Sequence, residues 1–322
     1  MNKVVLICGV SGQDGALLAK LLLAKGYDVW GTSRDAEGSN FSNLVRLGIR
    51  DSVRLISMNP EDFSSVFRTI KQCNPNEIYF LAGQSSVGLS FEQPVETIQS
   101  NVSSVLNILE TCRILERPIR LYNAASSEVF GNTGDQPANE ETPFRPRSPY
   151  AVAKASAFWL VNNYREAYGL FVCNGIAFNH ESPLRPERFV TQKIISAARR
   201  IAAGSREKLQ LGRLDIARDW GWAPEYVNAM WLMLQQDSPD DYIIATGQTN
   251  TLETFVAKAF AFFNLDWREH VQQNQELFRP TDLLVSRANP AKAELKLGWK
   301  ARFKLDEIID GMAKEAVSTW GS

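Results

Sequence analysis

Histidine is nearly missing: His180 and His270 are the only two in 322 residues. A Ser-His-Asp triad or a histidine-based metal centre therefore has almost nothing to draw on. The four cysteines, Cys8, Cys73, Cys112 and Cys173, are scattered without metal-ligand spacing. Their apolar neighbours read as the setting of buried free thiols in a reducing compartment, so no metal is expected. No apolar run approaches the length of a membrane span, and Met1-Asn2-Lys3 leads directly into a strand-like segment rather than a signal peptide. A cytoplasmic protein with no membrane partner is the expectation. Charge of one sign is lacking too: 35 Lys and Arg against 36 Asp and Glu leave a net charge of −1, which gives no electrostatic reason to expect nucleic acid.

What is present alternates. Val4 to Cys8 is a short β-branched run of the kind buried on both faces of a parallel sheet. Gly9-Val10-Ser11-Gly12-Gln13-Asp14-Gly15 follows, then a helical pattern from Ala16 to Lys25 closed by Gly26. Strand, glycine turn and helix form the context of a dinucleotide fingerprint: the glycines permit a tight turn and close approach of a pyrophosphate to a helix N-terminus. The spacing, Gly-x-x-Gly-x-x-Gly, is shifted from Gly-x-Gly-x-x-Gly. A second strand, Asp28 to Thr32, ends at Arg34 and Asp35. Arginine there accommodates the 2′-phosphate of NADP, and a carboxylate there selects NAD; Arg34 favours NADP and Asp35 leaves the choice open. Further strands at Val53 to Met58, Glu77 to Ala82 and Arg120 to Ala124 alternate with helices at Phe63 to Gln72 and Val95 to Arg113. The expected fold is α/β, a Rossmann-type doubly wound parallel sheet with a smaller, discontinuous C-terminal substrate-binding lobe. Residues 1–178, with return segments at about 214–247, are assigned to the cofactor domain, and 179–213 with 248–322 to the lobe.

Two features carry chemistry. Ser148, Pro149 and Gly169 are an N-cap, a first helical residue and a stop, and on the helix between them Tyr150 and Lys154 share a face. An ammonium beside a phenol lowers the phenol's pKa and makes it a usable base; the same spacing is also common on surface helices. In the loop after the fifth strand, Ser126-Ser127-Glu128 places a carboxylate at the sheet edge, either a base for a carbon acid or an exposed loop residue.

These motifs together resemble the extended short-chain dehydrogenase/reductase superfamily and, within it, the GDP-mannose 4,6-dehydratase family. Further resembling segments are Thr142 to Tyr150, Asn162 to Tyr168, Phe178-Asn179-His180-Glu181-Ser182-Pro183, Phe189-Val190-Thr191, Arg218-Asp219-Trp220-Gly221, Ala245-Thr246-Gly247, Phe278-Arg279-Pro280 and Leu297-Gly298-Trp299-Lys300. The resemblance implies a lyase that converts GDP-mannose to GDP-4-keto-6-deoxymannose by internal hydride transfer with tightly bound NADP. Tyr150, beside Lys154, is the base at the sugar 4-hydroxyl, Ser126 a hydrogen-bond partner of O4, and Glu128 the base at carbon 5. Cofactor contacts are implied at Gly9, Ser11, Gly12, Gln13, Asp14, Gly15, Arg34, Asn59, Leu81, Ala82, Gln84, Tyr150 and Lys154. Substrate contacts are implied at Ser85, Asn179, Thr191, Lys193, Arg218 and Arg279, where arginines suit a diphosphate. A homodimer or homotetramer is implied as well. The chain departs from the family at Met58-Asn59, Gly83, Gln192, Arg213 and the loop from Arg34 to Asn40. Those changes keep open a related GDP-sugar such as a GDP-manno-heptose, or an epimerase, reductase or decarboxylase on the same scaffold.

Overall fold

The computed structural model describes residues 2–318. In chain order the first strands are β1 (Val4–Cys8), β2 (Asp28–Ser33), β3 (Arg54–Ser57), β4 (Glu77–Phe80), β5 (Arg120–Ser126) and β6 (Val172–Ala177). They continue with β7 (Asn179–Glu181), β8 (Leu209–Leu211), β9 (Ala217–Trp222), β10 (Tyr242–Ile244), β11 (Thr249–Thr251) and β12 (Val271–Gln273). Seven of them make one sheet in the order β10-β6-β5-β4-β1-β2-β3, parallel at every junction. Strand order reverses between β1 and β4, which opens a crevice beyond the strand C-termini at that point.

Burial on both faces explains the apolar runs. Val5 and Ile7 point to one side, with Leu18 and Leu22 of the helix Gln13–Ala24 and Met230 of the helix Ala223–Met233. Leu6 and Cys8 point to the other, with Ile70, Ile108 and Val161. Each alternate residue thus finds a helix to pack on, and no polar face remains.

A second core gathers Ile194, Ile195 and Ala198 of the helix Val190–Ala202, Phe255 and Phe260 of Leu252–Phe262, and Ile308, Ile309 and Met312 of Leu305–Ser318. From sequence, Leu305 to Thr319 reads as a final amphipathic helix, and its end, Thr319, lies outside the described residues. Small sheets β11-β9-β7 and β12-β8 edge this core. Among the return residues, β10 joins the large sheet but β9 pairs with β7 and β11. Ala293, Leu297, Trp299 and Ala301 pack in the first core, although 248–322 reads from sequence as part of the lobe.

The single helix expected from Val95 to Arg113 is instead Pro94–Ile98 and Ser104–Leu115 joined by a π turn, Gln99–Ser103. Asn101 supplies the cause. Its side-chain Nδ2 donates to the carbonyls of Thr97 at 2.9 Å and Gln84 at 3.1 Å, so a side chain competes for an acceptor within the helix and ties the turn to the loop after β4.

Candidate active site

The glycine turn is a cradle whose shape depends on missing side chains. Gly9 has φ +89, and a Cβ there would come 3.0 Å from the backbone nitrogen of Ala82. A Cβ on Gly15 would stand 2.3 Å from the carbonyl oxygen of Gly9, so the helix packs against the strand only with glycine at this position. Gly12 caps the helix Gln13–Ala24 without a side-chain hydrogen bond. The first backbone N–H groups of that helix therefore present an anion site. The side chains of Gln13 and Asp14 are turned away from it. Gln13 Nε2 donates to the His180 carbonyl at 3.2 Å and its Oε1 accepts from Ser182 at 2.8 Å, while Asp14 pairs with His180 Nε2 at 2.8 Å. Positions 13 and 14 thus face the anion site through backbone, and their side chains anchor the β7 loop.

Beyond β2, Arg34 is exposed and Asp35 is occupied. The Asp35 carboxylate accepts from the backbone N–H of Glu37 at 3.1 Å and of Gly38 at 2.8 Å, which makes it the pivot of its own turn. Asn59 is exposed, with its Oδ1 accepting from Glu61 N–H at 3.2 Å. Leu81 and Ala82 continue β4 along the same sheet edge, and Leu81 N–H donates to Cys8 at 3.0 Å. The Gln84 side chain braces its loop on Ser86 and Thr97, while Ser11 and Ser85 are exposed.

At the end of β5, Ser126 caps a short 3-10 turn, Ser127–Phe130, by accepting from Glu128 N–H at 3.3 Å. The helix Pro149–Tyr168 begins against it, capped by Ser148 and closed by Gly169 at φ 65. Ser126 hydrogen-bonds Tyr150, and the Glu128 charge acts on that same phenol. Ser126 thus joins the phenol to the turn that carries Glu128, and the two groups feel one another's charge. Burial dominates both groups. It pushes the Tyr150 phenol up to about 12, against the lowering effect of the Ser126 hydrogen bond. It also raises Glu128 above the usual carboxylate range, opposed by Arg218 and then Arg279.

Lys154 Nζ donates to the Ala124 carbonyl at 2.9 Å and lies 5.8 Å from the Tyr150 ring centroid. Burial lowers Lys154 to about 8. In the chain alone, desolvation of the phenol outweighs the help expected from its neighbour, and Tyr150 stands above its ordinary value rather than below it.

Of the substrate positions, Arg218 and Arg279 converge. Arg218 is 5% exposed on β9, and its charge meets those of Glu128, Arg279 and Asp282. Asp282, which no sequence motif singles out, lies 3.9 Å from Arg279 and links the two arginines electrostatically. Asn179 opens β7 beside this group, in register with Trp220 of β9. Lys193 donates to the Gln210 carbonyl at 2.8 Å. Thr191 is a correction to the sequence reading: it is 1% exposed and its hydroxyl donates to Glu181 at 2.6 Å, so it fastens the helix to β7 instead of lining a pocket. His180 holds its loop through Asp14 and the Phe178 carbonyl, at 2.8 and 2.7 Å.

The arrangement can bind a dinucleotide at the glycine cradle, hold an anion between Arg218 and Arg279, and present a phenol and a carboxylate to one molecule. Comparison with known proteins identifies the family. The family model described as GDP-mannose 4,6 dehydratase matches residues 6–312. The chain is 42% identical to GDP-mannose 4,6 dehydratase 1 of Arabidopsis thaliana, over 98% of this chain and 90% of that one. It is also 42% identical to GDP-mannose 4,6-dehydratase of Sinorhizobium fredii, over 98% and 97%. Among solved structures it resembles UDP-glucose 4-epimerase of Thermus thermophilus, in complex with NAD, with a TM-score of 0.84, 25% identity and coverage of 97% and 98%. From the cradle at Gly9 to the arginines of the second lobe, this chain belongs to the GDP-mannose 4,6-dehydratase family.

Proposed function

We propose that the chain removes water from GDP-mannose, giving GDP-4-keto-6-deoxymannose, with NADP held as a recycled group. The observation that carries this reading is the bridge at Ser126, which hydrogen-bonds the Tyr150 phenol and accepts from Glu128 N–H at 3.3 Å, in a site where the charges of Arg218 and Arg279 act on the carboxylate. A reductase or an epimerase needs the phenol alone; a second base is required only where a proton must leave carbon. The uncapped helix N-terminus and the Gly9 and Gly15 approaches fit a pyrophosphate, and exposed Arg34 beside an occupied Asp35 favours a 2′-phosphate over a free hydroxyl. When bound, the nicotinamide supplies a hydride acceptor, a hydride donor and a positive charge.

The chain's own residues move protons. Tyr150 acts as the phenolate, the form that the Lys154 ammonium and the positive charge of a bound nicotinamide would favour over the burial penalty; its Oη then takes the proton of the sugar 4-hydroxyl, and Ser126 donates a hydrogen bond to O4. With carbon 4 a ketone, the proton on carbon 5 becomes acidic. Glu128 takes it, and the same carboxyl group delivers a proton to the departing 6-hydroxyl, so that water leaves and the carboxylate is restored; the proton that Tyr150 took returns to carbon 5 as carbon 6 is reduced, which regenerates the phenolate and closes the proton balance. Arg218 and Arg279 hold the diphosphate and keep the sugar in place. Lys154 fixes the end of β5 through Ala124.

The division of labour between the two cores follows: cofactor at the large sheet, GDP against the elements from Asn179 onward. Apolar side chains on the outer faces of two adjacent helices, Val95 at 68% and Trp159 at 60% exposure, support a homodimer or homotetramer. Among the described residues no helix is long and apolar enough to cross a membrane, and four buried free cysteines suit the cytoplasm. Incubation of the purified chain with GDP-mannose and no added NADPH tests the reaction. Mass spectrometry should show a product lighter by one water; an isomer of unchanged mass would turn the reading to an epimerase, and unchanged substrate would remove it.

A further inference from the structure

A third arginine lies beside Arg279 and Asp282. Arg213 follows β8, and Asp215 holds its guanidinium by a forked pair, Nε to Oδ1 at 2.9 Å and Nη2 to Oδ2 at 2.5 Å. Both partners are open to solvent, with side-chain exposures of 35% and 62%. Such a pair adds little to stability. What it does is fix a plane. A guanidinium carries five N–H donors, and with Nε–H and one Nη2–H given to Asp215, the end-on pair of Nη1–H and the second Nη2–H points away from the carboxylate.

Other contacts place this fork against the segment that carries Arg279. The Phe278 ring, next to Arg279, lies with its centroid 5.9 Å from the Arg213 guanidinium carbon. Gly212 runs against the same segment, where a Cβ would come 3.1 Å from the Leu277 carbonyl oxygen. The charge of Asp282 reaches both Arg213 and Arg279. Glu128, by contrast, is influenced by Arg218, Arg279 and Asp282, with Arg213 outside that set. The charged groups therefore have an order: the carboxylate at one end, Arg218 and Arg279 in the middle, and an Asp-held arginine beside an exposed phenyl ring at the other.

A nucleotide sugar has the same order of parts. We propose that Arg213, held by Asp215 beside Phe278, selects the nucleobase by donating two parallel N–H bonds to the O6 and N7 acceptors of guanine. Adenine offers an amino donor where guanine offers O6, so one of the two bonds becomes a clash of donors. This assignment rests on the GDP-sugar reading and names the residue that enforces it.

Isothermal titration of the full chain with GDP, IDP, ADP and UDP tests it. IDP keeps O6 and N7 but lacks the 2-amino group. Wild type should bind GDP and IDP alike and ADP about tenfold or more weaker. Arg213→Ala should weaken GDP and IDP about tenfold and leave ADP in place, closing the gap. Arg213→Lys keeps the charge without the fork and should close it as well. Asp215→Asn, which removes the charge that holds the plane, should narrow it. Equal weakening of all four nucleotides in Arg213→Ala would make the arginine a general anion contact and overturn the proposal, as would a full GDP preference in Arg213→Lys. Wild type that binds ADP and UDP as tightly as GDP would overturn the GDP-sugar reading itself, whatever the variants do. Thermal melts of each variant check that the fold is intact.

Discussion

Two glutamates stand at opposite ends of the large sheet, one buried and one half-buried. At the N-terminal edge, Glu77 is 1% exposed and saturated: Lys3 at 3.1 Å, Tyr27 at 3.2 Å, Tyr79 at 3.0 Å and Gln235 at 3.3 Å all donate to it. At the C-terminal edge the Glu128 carboxylate has no such partner among the described residues and is met only by the charges of Arg218, Arg279 and Asp282. The same residue type is a fixture in one place and a reactive group in the other. Donors to both oxygens hold the Glu77 carboxylate in place, whereas desolvation lifts the affinity of Glu128 for a proton. Asp219 is an intermediate case. One of its oxygens accepts from the Thr246 N–H and hydroxyl, the other has no partner, and burial raises it to about 6.

The sharpest way to break this contrast is Glu128→Gln. Water loss from GDP-mannose should fall by roughly 10²–10⁴-fold while cofactor retention and melting temperature stay near wild type; undiminished turnover would make Glu128 a second fixture. Glu77→Ala should do the reverse. Leaving the Tyr79 hydroxyl buried without its acceptor should lower stability by about 2 kcal/mol in denaturant titration, with turnover of the folded fraction unchanged.

A subtler test uses pH. Because Glu128 is raised, the acid limb of kcat/KM should lie above the usual carboxylate range. Arg218 opposes that shift, so Arg218→Gln should move the limb to still higher pH, besides weakening substrate binding. A limb that stays put would separate the arginine from the base. The smallest effect belongs to Asp219. Its folded-state pKa lies above the unfolded value, so the folded state holds the extra proton and wild-type stability declines as pH rises from about 4 through about 6. Asp219→Asn should lack that decline, and the melting-temperature difference should move in its favour between pH 4 and pH 7.

Much of this was legible from residue patterns, and the exceptions have physical reasons. The run Val4 to Cys8 reads as a central strand because both of its faces are apolar, and the structure buries Leu6, Ile7 and Cys8 completely. The helix from Pro149 was readable at both ends from its cap, its proline and its glycine. The π turn was not, because the donor that breaks the helix, Asn101, acts through a side-chain contact with Gln84 that spacing does not reveal. Thr191 and Gln13 sit in the right segments, but whether a short polar side chain faces a ligand or a neighbouring strand depends on tertiary packing. Tyr150 and Lys154 were legible as a pair, whereas the cost of burying a charged phenolate appears only once the surrounding core is in place. Asp282 carries no local pattern at all, and its position matters only because Arg213 and Arg279 arrive from elsewhere in the chain.

β10 has a consequence for how the molecule is made. It joins the edge of the large sheet beside β6, yet 64 residues of other structure, 178–241, intervene before Tyr242. During synthesis β6 must wait with an open flank until those residues have emerged, although Asp241 stands ready to lock the join through Arg165 and the Asn174 N–H. A chain cut short of Tyr242 would display that flank to any other strand it met, so truncations in this stretch should precipitate rather than yield a soluble half-enzyme.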